Sequence, residues 1–245
     1  MSRPSIVGLR SFGDVDAAHQ KVCAEHPSVY ILPEADEFLH ILPFNLEGCY
    51  RLGRTLKQAH PMLFYAWVKY CVKAAHFTLD DLPVLFTQWQ TWTHGSRYHT
   101  LMQEVYTHDS EEFQRIVTRS KDRILRRMLE TSNMYDVAVL LHCCNRENYV
   151  CIRFEQDVWN VYEDGAWRGC DSDHLRYKLD VQVHSFIFKF MCALLVDGSN
   201  SKKVNTLAAL MFAIKKIEKR RDILAYCKEL FFDPHFESDL FFPCL

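Results

Sequence analysis

The spacing of apolar residues changes once along this chain, and that change dictates most of what it can fold into. From Glu34 onward apolar positions recur every three or four residues, and at Asn148 they begin to alternate. A period near 3.6 buries one stripe of a helix, whereas a period of two buries one face of a strand. From residue 173 the helical spacing returns. The expected fold class is mostly α, in two helical modules, the second with a small β-hairpin. Only 8 Gly and 8 Pro punctuate 245 residues, which favours helices joined by short loops.

The elements can be placed from their stripes and stops. Residues 1–30 are weakly patterned and read as a lead-in segment or linker, with a short strand at 28–33 that ends at its proline. Phe38, Leu39 and Leu42 lie at helical spacing before Pro43, and residues 46–59 form a second stretch closed by Pro61. Phe64, Trp67, Val68 and Cys71 make the i, i+3, i+4, i+7 stripe of a third helix. Thr78-Leu-Asp-Asp81 is a helix start for Leu82, Leu85, Phe86 and Trp89. Asp109 or Ser110 caps a long amphipathic stretch with two glutamates behind it. Its buried stripe is Phe113, Ile116, Val117, Ile124, Leu125 and Met128. Thr131-Ser-Asn133 restarts a helix.

Residues 149–154 and 158–162 read as paired strands, with a second turn signal at Glu163-Asp-Gly165 and Trp167 after it. A helix over 173–196, a break at 197–200 and one long helix over about 202–231 follow, stopped by Asp233-Pro234. The modules are expected at residues 31–130 and 131–245, with the hairpin at about 149–167.

Composition narrows the function. The net charge is −2, so the chain as a whole is not polybasic and any nucleic-acid contact must come from local patches. Its ten cysteines are scattered, with no C-x-x-C and no N-terminal secretory pattern, which points to reduced thiols in an intracellular protein. Apolar runs such as residues 191–196 are too short to span a bilayer, so no membrane partner is expected.

Several motifs approach known chemistry. Gly48-Cys-Tyr-Arg-Leu-Gly53-Arg54-Thr55 nearly spells a phosphate-binding P-loop, but arginine replaces the lysine and no buried strand precedes it. The better reading is an internal glycine where helices pack closely. Asp14-Val-Asp16 and Asp171-Ser-Asp173 are D-x-D pairs in polar, turn-like settings, which suit helix caps better than magnesium. Among His142, Cys143, Cys144, Cys151, Cys170 and His174, only Cys170 and His174 have zinc-like spacing. No cofactor and no metal are expected, and no catalytic residue is assigned. A Cys–His pair that meets only in space stays open.

The charged faces are more suggestive. Arg115, Arg119, Arg123, Arg126 and Arg127, with Lys121, oppose a single Asp122. Arginines four apart share a helix face and can track a phosphate backbone. A second patch on the last helix holds Lys215, Lys216, Lys219, Arg220 and Arg221, with Lys202 and Lys203 at its start. Arg115, Arg119, Arg123, Arg126, Arg127, Lys215 and Lys219 are the candidate DNA-binding residues. The competing reading is a solvated face. Trp159, Tyr162 and Trp167 could stack on bases, but aromatics on a short hairpin more often hold it to its neighbours.

The order of these features resembles the region between primase and motor in poxvirus-type helicase–primases of superfamily 3. Tyr50-Arg-Leu-Gly-Arg-Thr-Leu56, then Phe64-x-x-Trp67, then Trp89-x-x-Trp92 is similar to the primase C-terminal helical module. Residues 135–140, 149–152, Trp159-Asn-Val-Tyr162 and Gly165-Ala-Trp167 resemble the opening of the pre-helicase domain. The long final helix and Phe231-Phe-Asp-Pro-His-Phe236 match what precedes the ATPase in that family. The resemblance implies that the primase site and the P-loop ATPase both lie outside this chain, which would be a piece of a longer protein. It implies a role in coupling primase to helicase, contact with single-stranded or forked DNA, and association with other replication subunits or with itself. The alternative is a non-enzymatic viral or host-interaction protein whose basic helix is merely solvated.

Overall fold

Ser11 opens the first helix. Its side chain accepts from the Asp14 N–H while Asp14 bonds back to the Ser11 N–H, so two donors that a helix start leaves unpaired are satisfied. α1 (Phe12–Glu25) follows and buries Val15 and Val22. A helix therefore occupies much of the stretch expected to be a lead-in. No strand forms at residues 28–33, because α2 (Ile31–Ile41) begins there instead. Pro33 lies in its first turn, where the missing N–H has no helical partner to lose. The structure is a computed structural model that describes residues 3–93, 95–196, 198, 201–233 and 236. The fold is mostly α with a minor β component.

The chain divides into two compact units, Met1–Thr118 and Arg119–Pro243, with the boundary inside a helix. The first unit continues with α3 (Leu46–Ala59), α4 (Phe64–Cys71), α5 (Leu82–Thr91), α6 (Tyr98–His108) and the start of α7 (Ser110–Thr131). The starts follow the expected chemistry. Asn45 accepts from the N–H groups of Glu47 and Gly48, Thr78 and Asp81 form a capping box, and Asp109 accepts from the Glu112 N–H. α4 lies at the centre of this unit, packed by α1, α2, α3 and α5, and buries every residue except Lys69.

The indole of Trp67 stacks on Trp89 at 5.5 Å, meets Trp92 edge-on at 5.0 Å and donates to the Cys49 carbonyl at 3.0 Å. Gly53 faces this cluster. A Cβ added there would sit 2.7 Å from ring atoms of both Trp67 and Trp92. Gly53→Ala is therefore expected to destabilise the first unit by about 1–2 kcal/mol, overpacking being partly offset by the better helix propensity of alanine. Thermal unfolding followed by tryptophan fluorescence reads this directly. Trp92→Phe in the same background should restore part of the loss, and an unchanged melting curve for Gly53→Ala would refute the close approach.

In the second unit, α8 (Met134–Asn145) starts on Asn133, whose side chain accepts from the Tyr135 N–H. Residues Val137, Ala138, Val139, Leu140 and Leu141 are all buried, so α8 is a core helix with no solvent face at its centre. The β region is an antiparallel sheet of β1 (Tyr149–Arg153), β2 (Val158–Glu163) and β3 (Ala166–Cys170), in that order. The third strand extends the expected hairpin. Asp164 and Gly165 both have positive φ between the paired residues Glu163 and Ala166, the two-residue turn whose twist suits a hairpin.

α9 (Ser172–Lys178), a π-helical turn (Leu179–Val183) and α10 (His184–Val196) then form one continuous helix. By length and composition alone this helix could cross a membrane, contrary to the expectation that no segment is long enough. Its Leu175, Leu179, Val183, Ile187 and Leu194 are buried, whereas Tyr177, Val181, Phe188, Leu195 and Val196 are exposed, so one stripe is covered and an apolar face is left on the surface.

The long helix expected over about 202–231 is broken into α11 (Ser201–Ile214) and α12 (Ile217–Phe231). The last turn of α11 tightens, with Lys215 N–H donating to the Phe212 carbonyl and Lys216 N–H to that of Ala213. The backbone then swings out at Lys216, where ψ is 134°. This frees α11 to pack on α10 and α12 to pack on α8. The turn needs no positive φ, so no glycine or proline marks it in the sequence.

Candidate nucleic-acid interface

The helix α7 carries five of the predicted DNA contacts, and the structure treats them differently. In the first unit, Arg115 is exposed and paired with Glu112 at 3.1 Å and Glu111 at 3.4 Å. In the second unit, Arg119 and Arg126 are exposed and seven residues apart, so they fall on one face two turns from each other. Asp122 is exposed on the same face, between them. Arg123 is half-buried.

Arg127 is committed inward. Its Nε lies 3.1 Å from Oδ1 of Asp136, a carboxylate on the first turn of α8 that is fully buried. The hydroxyl of Thr131 donates to the other oxygen. The pair joins the end of α7 to the start of α8. Sequence reasoning placed Arg127 with the outward stripe because helical spacing says which residues share a face, not which face a neighbouring helix covers. Asp136 itself gave a local signal, an acid in a first turn, where the helix dipole favours it. Nothing local named its partner.

The second patch is more solvated. Lys215 and Lys216 are exposed, and Lys219 faces Asp222 at 3.4 Å with both side chains about half exposed, a pair of little energetic weight. Arg220 is fixed by Asp180 at 2.6 Å and by the Ile214 carbonyl at 3.2 Å. It closes the break between α11 and α12.

The other motifs resolve into structural roles. The P-loop-like segment lies within α3, where Arg54 sits over the Trp92 ring at 5.9 Å and Gly53 admits the indoles. No loop exists there to cradle a phosphate. Asp14 caps α1, Asp16 pairs with Lys69 at 2.8 Å, Asp171 caps α9 and Asp173 pairs with Arg176 at 3.4 Å. Trp159 is fully buried against Phe231, so that aromatic belongs to the core, whereas Tyr162 and Trp167 pair across β2 and β3 near the surface.

His174 contacts Tyr149 at 3.2 Å and Glu163 at 3.7 Å, and Cys151 is buried in β1. Among the described residues, no three His, Cys, Asp or Glu side chains are grouped for a metal. Burial pushes the thiols of Cys144 and Cys170 up to about 11, which keeps them protonated at neutral pH.

One arrangement has the order of a nucleophilic relay. Cys23 Sγ lies 3.7 Å from His19 Nε2, and His19 Nδ1 lies 3.7 Å from Asp36. It is poorly set for catalysis. Burial lowers the His19 pKa, the imidazole is almost fully enclosed, and Asp36 is held by Lys69 at 2.7 Å. No family model matches the chain, and no curated protein matches it.

Proposed function

We propose that this chain is a non-motor segment of a viral-type DNA replication helicase–primase, contacting DNA through the exposed arginines of α7. The observation that carries the reading is the pair Arg119 and Arg126 on one solvent face of the second unit. A guanidinium matches phosphate geometry better than an ammonium does, so two of them in register suit a nucleic-acid backbone. The motif order from Tyr50 to Phe236, similar to the region between primase and motor, supplies the rest of the reading. In that role the segment couples the two activities, packs against other replication subunits or a second copy, and neither hydrolyses ATP nor unwinds DNA alone. The rival reading, a non-enzymatic host-interaction protein, has the same face merely hydrated.

Fluorescence anisotropy with labelled single-stranded, duplex and forked DNA at two salt concentrations separates the two. Binding should weaken with salt. Arg119→Glu/Arg126→Glu should lower affinity about tenfold or more and reduce the salt slope by roughly two phosphate contacts. No binding by the unaltered chain at low salt would sink the proposal and favour the rival. Arg127 is left intact in this test because its substitution disturbs the fold.

A further inference from the structure

A cavity of about 370 Å3 opens beside α12 in the second unit. That volume lies at the small end of ligand sites, roughly 300–1,000 Å3. Its lining combines two chemistries on one helix. Ile217, Arg221, Leu224 and Lys228 all line it, and their spacing puts them on a single face of α12. Apolar and cationic side chains thus alternate down that face. Arg176 on α9 and Arg220, which Asp180 holds, bring the cations of the lining to four, against the carboxylates of Asp157 and Asp173.

The charges differ in how firmly they are held. Lys228 lies 3.0 Å from Asp157. That carboxylate also accepts from Trp159 Nε1 at 2.8 Å and from the Ser172 hydroxyl at 2.7 Å. Asp157, itself in the lining, is therefore engaged through both oxygens, and it positions Lys228 at the cavity. Arg176 has only Asp173, at 3.4 Å and with both side chains substantially exposed, a pair that a better anion can displace. Arg221 is exposed and has no ion pair among the described residues. Arg221 beside the apolar Ile217 and Leu224, with Arg176, Arg220 and Lys228 in the same cavity and both carboxylates already paired with cations, suits an anion that carries a flat apolar group.

We infer that this cavity takes one nucleotide unit, with its phosphate between Arg221 and Arg176 and its base against Ile217 and Leu224. A base can lie there only when it is unpaired and unstacked, so the site selects single strands over duplex. The nucleotide comes either from a DNA strand or free from solution. The strand case rests on the DNA-contacting reading above, and the free case does not.

The test titrates the full chain with a labelled oligothymidylate and its duplex by anisotropy, and with free thymidine monophosphate by calorimetry. Arg221→Glu and Ile217→Asp are compared with Arg221→Lys and with Arg119→Glu/Arg126→Glu. Both cavity positions are exposed, and equal melting curves confirm that the variants fold. The expected result is tighter binding of single strand than duplex, an affinity loss of about tenfold in Arg221→Glu, partial retention in Arg221→Lys, and loss of the single-strand preference in Ile217→Asp.

If the parent chain binds DNA and only the α7 variant weakens it, the cavity assignment is overturned and the α7 interface stands. If the parent binds no DNA but binds the free nucleotide, and Arg221→Glu abolishes that binding, the cavity stands and the DNA reading falls. If the parent binds neither, the cavity assignment is overturned.

Discussion

Asp136→Ala is expected to destabilise the second unit by about 3 kcal/mol, the lower end of the range for breaking a buried ion pair. The carboxylate is fully buried, and its removal leaves the Arg127 guanidinium without its ion-pair partner. Arg127 keeps 21% of its side-chain surface exposed, so water compensates part of the loss. Urea unfolding followed by circular dichroism measures the effect. Replacing both partners together, Arg127→Leu/Asp136→Leu, should recover much of the stability, because two charges are then no longer desolvated. An Asp136→Ala variant as stable as the parent would show that the pair does not hold α7 to α8. The same geometry has a practical consequence for DNA-binding studies. Charge reversal at Arg127 places two carboxylates together in the core, so any loss of binding in that variant reports a damaged fold.

Acid should weaken the second unit well before its carboxylates titrate. The His142 ring packs edge-on against Phe231 at 4.6 Å. Burial, reinforced by the positive charge of Arg146, holds its pKa down to about 3. In the unfolded chain it returns to about 6.5. The unfolded state therefore binds the proton first, and stability is full above about pH 6.5 and declines as pH falls toward 3, by up to about 1.4 kcal/mol per pH unit. His184 adds to the same trend, its pKa lowered by burial and by Lys215.

The diagnostic window is about pH 5 to 6.5, above the ordinary carboxylate range. Asp157 contributes only below it. Burial opposes its ionisation, but hydrogen bonds from Trp159, Ser172 and Lys228 outweigh burial, so its pKa is lowered and its contribution disappears as pH falls through that lowered value. Thermal melts across the window should show a slope that His142→Phe flattens. Identical slopes in parent and variant would refute the neutral imidazole packed on Phe231.

The arginine stripe shows how far sequence reasoning reaches into the candidate site. Arg115, Arg119 and Arg126 lie on solvent as expected, while Arg127 at the same helical spacing turns inward to Asp136. Periodicity ranks faces by hydrophobicity, but it is blind to a buried acid contributed by the next helix. The cavity beside α12 was equally hidden. Arg221 was visible as part of a basic run, but Arg176 lies far from it in sequence, and only packing brings both to one site. The near P-loop is the converse case. Its missing lysine and missing strand already argued for a helix, and the closeness of Gly53 to two indoles agrees.

Local chemistry determined where several helices begin. Asn45, Asp109 and Asn133 cap their helices, Asp164 and Gly165 make the hairpin turn, and the period of the apolar residues separates helix from strand. These signals act within a few residues, so one chain read in order contains them. The tertiary structure decided the rest. It made a helix of residues that carry little stripe, because burying Val15 and Val22 against the first unit outweighs weak local preference. It divided an unpunctuated helical run at Lys216 so that two neighbours could each be covered. It also chose which of several equivalent arginines faces protein and which faces water. Those choices depend on the free energy of burying a surface against a partner distant in sequence, and no local pattern records which partner that is.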